Sequence, residues 1–249
     1  MADAMRPYDK FAEVFDKITP DEFYAEYANF IMEILKEMNY KPKKILDLAC
    51  GTGRLAKIFI DEGYDIEGLD ISEKMLEIAK KRGLKVYQSN MVDFNLGQKY
   101  DLVICTYDSL NYVLQEDSLQ KCFNSISKHL NQDGVFIFDM NSDFKINKIL
   151  PQYKADYYDF GDAELIWLNS HSREPDLWIG ELILFKKTKD GKYERYYEKY
   201  IERAFELNTT KKLLKEANLE ILETYSDFEF NKIKKDSKRW FFITKKKTK

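Results

Sequence analysis

The 249-residue sequence predicts an α/β fold, a doubly wound and mostly parallel open sheet that carries a small antiparallel insertion. Three observations point there. Between residues 44 and 140, short apolar runs alternate with amphipathic stretches of helical period, the pattern of parallel βαβ units with right-handed crossovers. After about residue 150 the pattern changes to a period of two. Glycine is scarce, at 10 residues, yet two stand one residue apart at Gly51 and Gly53, directly after the first apolar run.

The elements follow in order. Residues 8–18 and 21–38 read as helices, and the second has Thr19 as N-cap, Pro20 at the first helical position and Asp21 and Glu22 in the first turn. Strands are expected at Lys44–Ala49, Asp65–Leu69, Lys85–Ser89, Tyr100–Thr106 and Gly134–Met140. Helices are expected at Arg54–Glu62, Ser72–Lys81 and Glu116–Leu130. Residues 163–171, 178–188 and 192–206 alternate as an antiparallel meander, and Asp190-Gly191 supplies a two-residue hairpin signal. The α/β pattern then resumes with helix Lys211–Ala217, capped by Thr209 or Thr210 and ended by Asn218 in a left-handed conformation. Strands Glu220–Tyr225 and Arg239–Thr244 close the chain. This divides the chain into an N-terminal helical cap (1–40), a ligand-binding α/β domain (41–150 with 207–249) and an antiparallel insertion (151–206).

Composition narrows the function. The 40 basic and 43 acidic residues leave a formal charge of −3, which gives no global field toward nucleic acid or anionic lipid. The lysines between Lys232 and Lys249 alternate with apolar residues and read as a solvated edge rather than an RNA site. The N-terminus lacks a signal-like apolar run, and every apolar run is strand-sized, so a cytoplasmic protein without a membrane span is expected. Cys50, Cys105 and Cys122 read as reduced, partly buried thiols. With His129 and His171 they match no usual zinc spacing, so no metal is expected. His129 reads as a partner of a helix C-terminus and His171 as a surface residue of the meander, though His171 or a tyrosine could serve as a base.

The chemistry concentrates at Ile45-Leu46-Asp47-Leu48-Ala49-Cys50-Gly51-Thr52-Gly53-Arg54. A strand ends, two glycines turn the chain and a helix begins, so free N–H groups point at the crevice above the sheet. Asp70 ends the second strand, where its carboxylate can accept both hydroxyls of a ribose; it could instead cap the following helix, although Ser72 already offers that chemistry. Asp47 selects among nucleosides. A pyrophosphate at the turn would be repelled by about 1–4 kcal/mol. A ligand bearing an ammonium and a sulfonium would be held.

On these residues the chain resembles the class I S-adenosylmethionine-dependent methyltransferases over nearly its whole length. Asp47 to Gly53 matches the D-x-x-x-G-x-G motif, Gly68 to Leu76 the second-strand motif, and Gln88 to Asp93 the third, with Asn90 where Asp is usual. Tyr100 to Tyr107 resembles the fourth strand, and Tyr8 to Asp16 a cofactor-covering helix. Asp108 to Tyr112 and Asp139 to Ser142 resemble a bacterial subgroup without assigned substrates. The resemblance implies seven strands with the last reversed, and S-adenosyl-L-methionine as cofactor. It assigns the methionine part to Asp47, Gly51 and Gly53, with Ala49 and Thr52 also on the cofactor, and the ribose to Asp70. It gives the adenine to Ile71, Met75, Asn90 and Met91, and the methyl side to Tyr8 and Tyr107. It also makes the insertion the acceptor side.

That insertion holds Tyr153, Tyr157, Tyr158, Tyr193, Tyr196, Tyr197 and Tyr200, out of 17 tyrosines, and Trp167 and Trp178. They suit sheet packing as well as an acceptor wall. In-line methyl transfer needs position more than acid–base help, so the sequence marks no catalytic residue. A small-molecule acceptor is expected, with methylation of RNA or protein, a non-catalytic cofactor-binding protein and an NAD-dependent oxidoreductase as alternatives. The acceptor atom and the oligomeric state have no sequence signature.

Overall fold

Residues Ile45–Leu48 (β1) are buried throughout, as a strand covered on both faces by helices must be. The computed structural model describes residues 11–172 and 174–247. Tyr8, expected over the cofactor, lies outside them. In chain order the elements are α1 (Ala12–Ile18), α2 (Asp21–Glu37), β1, α3 (Arg54–Asp61), β2 (Ile66–Asp70), α4 (Glu73–Lys81), β3 (Lys85–Gln88), β4 (Tyr100–Cys105), α5 (Glu116–His129) and β5 (Leu130–Asn141). The insertion supplies β6 (Ala155–Asp159), β7 (Ala163–His171), β8 (Leu177–Lys187) and β9 (Tyr193–Arg203). Then follow α6 (Leu207–Glu216), β10 (Leu219–Ser226) and β11 (Arg239–Lys246).

The main sheet has seven strands in the order β10-β11-β5-β4-β1-β2-β3. β11 runs antiparallel to both of its neighbours, and β1–β2, β2–β3, β1–β4 and β4–β5 pair parallel. The expected doubly wound, mostly parallel α/β class is therefore present, with its reversed strand. The chain winds from β1 out to β3 and returns to β4 on the other side of β1. Ligands of such sheets bind at that switch point, beyond the carboxyl ends of the strands. One face of the sheet buries α2, α3 and α4, and the other buries α5 and α6.

The insertion is a separate four-stranded sheet, β6-β7-β8-β9. β6 had no sequence signal, because an exposed edge strand reading Ala-Asp-Tyr-Tyr-Asp lacks an apolar alternation. The β8–β9 joint is wider than the expected two-residue hairpin: Thr188 donates to the Lys192 carbonyl at 2.8 Å, and Gly191 turns with φ of 81°. α1 packs Phe11 and Val14 onto Ala163, Leu165, Leu182 and Leu184 of this sheet. The other end of α1 holds the glycine turn, where Thr52 Oγ1 donates to Asp16 Oδ1 at 2.6 Å and Arg82 pairs with Asp16.

Several boundaries differ for identifiable reasons. Pro20, not Thr19, is the N-cap of α2, and the Thr19 carbonyl instead accepts from Arg54 at 2.7 Å. α6 starts at Leu207, ahead of both threonines. The Thr210 hydroxyl bonds back to the Glu206 carbonyl at 3.3 Å inside the first turn. Asn218 does adopt the left-handed conformation, with φ of 60°. β5 begins four residues early because the segment before Gly134 bulges between the Tyr100–Leu130 and Leu102–Val135 pairs. His129 stands in the last turn of α5 and is buried; its Nδ1 lies 2.7 Å from the Ser125 carbonyl, and its Nε2 lies 3.0 Å from the Leu96 N–H.

Candidate functional site

The turn after β1 is built from alternating left-handed residues, Ala49, Gly51 and Gly53, with φ of 60°, 54° and 76°. At Gly51 a side chain would point into open space, the hollow left by the turn. At Gly53 it would stand 3.1 Å from the Ala79 side chain, so this glycine lets α4 approach the turn rather than forming a wall. The Gly51 N–H donates to Asp70 Oδ2 and the Ser72 N–H to Asp70 Oδ1, both at 2.8 Å. Ser72 itself caps α4, accepting from Met75 N. Asp70 is thus oriented by two backbone donors.

Above the turn opens a cavity of about 750 Å³. Asp47, Ala49, Gly51, Thr52, Asp70, Ile71, Met75, Asn90, Met91 and Tyr107 line it; Gly53 does not. Asn90 Oδ1 accepts from the Val92 N–H at 2.9 Å, which fixes the side chain in a local turn.

Asp47 is 2% exposed, and among the described residues no lysine or arginine forms an ion pair with it. Burial, reinforced by the Asp70 charge, pushes its pKa up to about 8. A carboxyl group in such a wall takes up a proton unless a cation lies against it. Cys50, Cys105 and Cys122 are buried free thiols, their pKa values raised by burial, so they are poor nucleophiles.

At the end of β4, Tyr107 and Asp108 are both left-handed, with φ of 60° and 51°. Two such non-glycine residues in a row are strained and persist only where neighbours fix them. The Tyr107 ring stacks on Tyr24 and Tyr27 at 4.8 and 4.6 Å between centroids. The Asp108 N–H donates to Asp139 Oδ2 at 3.0 Å, and Arg239 Nη2 meets Asp108 Oδ1 at 2.8 Å. Arg239 also pairs with Asp139, so one buried guanidinium holds a buried and a partly buried carboxylate. The Arg239 charge lowers Asp108, whereas burial keeps Asp139 raised.

The insertion closes the far side of the cavity. Asp156, Tyr158, Trp167, Asn169, Trp178 and Glu202 line it from four strands. They share one face, because Asp156 pairs with Trp167 and Trp178 with Glu202 in the ladders. Of the insertion tyrosines only Tyr153 and Tyr158 reach this wall; Tyr157, Tyr193 and Tyr197 are exposed. His171 ends β7. Trp178 lies across Gly180, where an added Cβ would fall 2.4 Å from the indole. Gly180→Ala is expected to displace that indole, shift tryptophan emission and cost about 1–3 kcal/mol in urea denaturation. Unchanged emission and stability would show that the indole does not depend on Gly180.

A methyltransferase domain model matches residues 45–134, the segment carrying the turn and the first four strands. A Geobacillus sp. (strain WCH70) protein bearing a provisional methyltransferase name is 33% identical over 96% of this chain and 99% of its own length. A solved S-adenosylmethionine-dependent methyltransferase from Clostridium acetobutylicum ATCC 824 superposes with a TM-score of 0.81 at 31% identity. It covers 96% of this chain and 98% of that one. The chain belongs to the S-adenosylmethionine-dependent methyltransferases. Its cofactor is S-adenosylmethionine, whose ammonium and sulfonium suit a glycine turn beside the buried Asp47 carboxyl. A dTDP-3-amino-3,4,6-trideoxy-alpha-D-glucopyranose N,N-dimethyltransferase of Streptomyces venezuelae is 33% identical over 47% of this chain and 50% of its own length. Among the described residues, no helix of this methyltransferase is long and apolar enough to cross a membrane.

Glu202, Lys145 and Arg239 carried no sequence signal as site residues, and Asn141 stood only within the Asp139 to Ser142 resemblance, without a role. The one available hint was the inward register of Glu198, Tyr200 and Glu202 along β9, three buried polar residues at period two.

Proposed function

We propose that this methyltransferase methylates a small molecule at nitrogen, in the cytoplasm, with the insertion as the acceptor wall and the N-terminal helices as the cap. The buried, cation-free Asp47 carries the reading: it would hold the ammonium of the cofactor, as no phosphate-bearing ligand would allow. Asp70 would accept from the ribose hydroxyls. Ile71, Met75, Asn90 and Met91 would enclose the adenine, and the backbone of Ala49, Gly51 and Thr52 would face the methionine part. Gly53 would serve by shaping the turn.

The bound cofactor supplies an electrophilic methyl group on a sulfonium. The residues at the end of β4 would fix where the acceptor meets it, since Tyr107 and Asp108 are held rigidly by stacking and by Arg239. The insertion wall excludes water and supplies aromatic rings. Nitrogen is favoured because the wall pairs those rings with the carboxylates of Asp156 and Glu202, a lining suited to a cation, and because a partial relative bears an N,N-dimethyltransferase name.

S-Adenosylhomocysteine at 100 times its dissociation constant is expected to raise the melting temperature by about 5–10 °C, and NAD by nothing measurable. A shift with NAD alone would refute the reading.

A further inference from the structure

Beyond the cofactor site, the cavity contains a second acidic centre that the family resemblance does not supply. Glu202 is 4% exposed, lines the cavity from β9 and forms no ion pair with a described lysine or arginine. Its place is set by Asn141, the last residue of β5. Asn141 Nδ2 donates to Glu202 Oε2 at 2.8 Å and to Asp108 Oδ2 at 2.9 Å, while its Oδ1 accepts from Lys145 Nζ at 2.7 Å. With two carboxylates on one end and an ammonium on the other, only one orientation of the amide is possible. The Asn141 backbone N–H is held in turn by Asn111 Oδ1 at 2.9 Å, and Asn111 Nδ2 donates to the Arg203 carbonyl at 2.8 Å, beside Glu202. One asparagine therefore ties the insertion to the end of β4.

The two carboxylates on Asn141 are not equivalent. Asp108 has Arg239 and is the stronger acid. Glu202 has an amide, a hydrogen bond from Tyr112 and a more remote Lys145, and burial together with the Asp108 charge raises it to about 8. Such a split separates a fixed anion from a group that exchanges a proton near neutrality. The groups facing Glu202 are Tyr112 from the turn after β4, Asn141 from β5, Lys145 from the following helical turn, Trp178 from β8 and Asp108. Trp167, Trp178 and Tyr158 make the adjoining wall aromatic.

We propose that Glu202, positioned by Asn141, is the catalytic carboxylate of the acceptor side, which binds the ammonium of an amine acceptor and takes its proton. The N–H bond breaks, its electron pair stays on nitrogen as the nucleophile, and the proton passes to a Glu202 oxygen. The acceptor is then a small amine whose remaining body rests on the two tryptophans. This rests on the cavity's being a methyl-transfer site.

The test uses protein saturated with S-adenosylhomocysteine, titrated calorimetrically with tyramine and D-glucosamine and with the uncharged counterparts tyrosol and D-glucose. At least one amine is expected to bind while its counterpart does not. Glu202→Gln is expected to weaken that amine at least tenfold and leave S-adenosylhomocysteine affinity within about threefold. Labelled methyl transfer to the bound amine should fall roughly 10²–10⁴-fold, and the rise of kcat/KM toward pH 8 should vanish. Glu202→Asp should restore that rise in part, which a purely structural role would not do. Binding of neither amine, equal binding of the counterparts, or an unchanged affinity and pH profile in Glu202→Gln would each overturn the proposal. Failure of S-adenosylhomocysteine itself to bind would instead refute the cofactor site.

Discussion

Replacing Arg239 by Met is expected to cost about 3–5 kcal/mol of stability at neutral pH, because it strands two carboxylates in the interior. Asp139 is fully buried, the Asp108 side chain is 17% exposed, and both rely on this guanidinium. For a chain of this size the loss corresponds to a drop of roughly 10 °C or more in melting temperature. Arg239→Lys should recover little, since one ammonium cannot reproduce a fork that meets two separate acids. The pH dependence has a definite sign. The lowered Asp108 pKa contributes stability above the unfolded carboxylate range, and that contribution is lost as pH falls through it. The gap between wild type and Arg239→Met should therefore hold from pH 7 down to about pH 4 and narrow below it. A variant as stable as wild type at pH 7, by urea denaturation, would mean that the cluster is not what fixes Tyr107 and Asp108.

Asp47→Asn is expected to act on the ligand rather than on the fold. The amide keeps the shape and removes the charge, so S-adenosylhomocysteine should bind about a hundredfold or more weakly, the consequence of leaving a buried ammonium without its partner. Stability without ligand should not fall. The Asp47 pKa is raised to about 8, so its stabilising contribution is complete below the unfolded value near 4 and is lost as pH rises to 8. Glu202 follows the same window for the same reason. Unliganded wild type should thus lose stability between pH 5 and 8, and Asp47→Asn should lose less of it.

The two halves of the cavity differ in how far they could be read from sequence. Asp47, Gly51 and Asp70 sit on one strand–turn–helix unit and the next strand, at spacings fixed by the βαβ repeat. Periodicity and glycine placement are enough to bring them together. The half formed by the insertion has no such local rule. Asn141 and Glu202 stand 61 residues apart and Arg239 and Asp139 stand 100 apart, joined only by docking of the insertion and by the reversed last strand. The aromatic content singled out the insertion but not which rings line the cavity, because strand register turns Tyr158, Trp167 and Trp178 inward and Tyr157, Tyr193 and Tyr197 outward. Thr52 illustrates a third case. Its place on the turn was readable, whereas the engagement of its hydroxyl by Asp16 of α1 was not, because that contact depends on how the N-terminal helix packs.

The most direct test is the pH dependence of cofactor-product affinity. On the proposed assignment, the ammonium of S-adenosylhomocysteine would need an ionised Asp47, so below pH 8 each bound ligand would release a proton. Calorimetry between pH 6 and 9 is predicted to show affinity tightening roughly tenfold per pH unit up to about pH 8 and then levelling, with a flat and weaker profile for Asp47→Asn. A wild-type affinity independent of pH, or an Asp47→Asn variant that binds as tightly as wild type, would contradict the assignment of Asp47 as the anionic pole of the cofactor site.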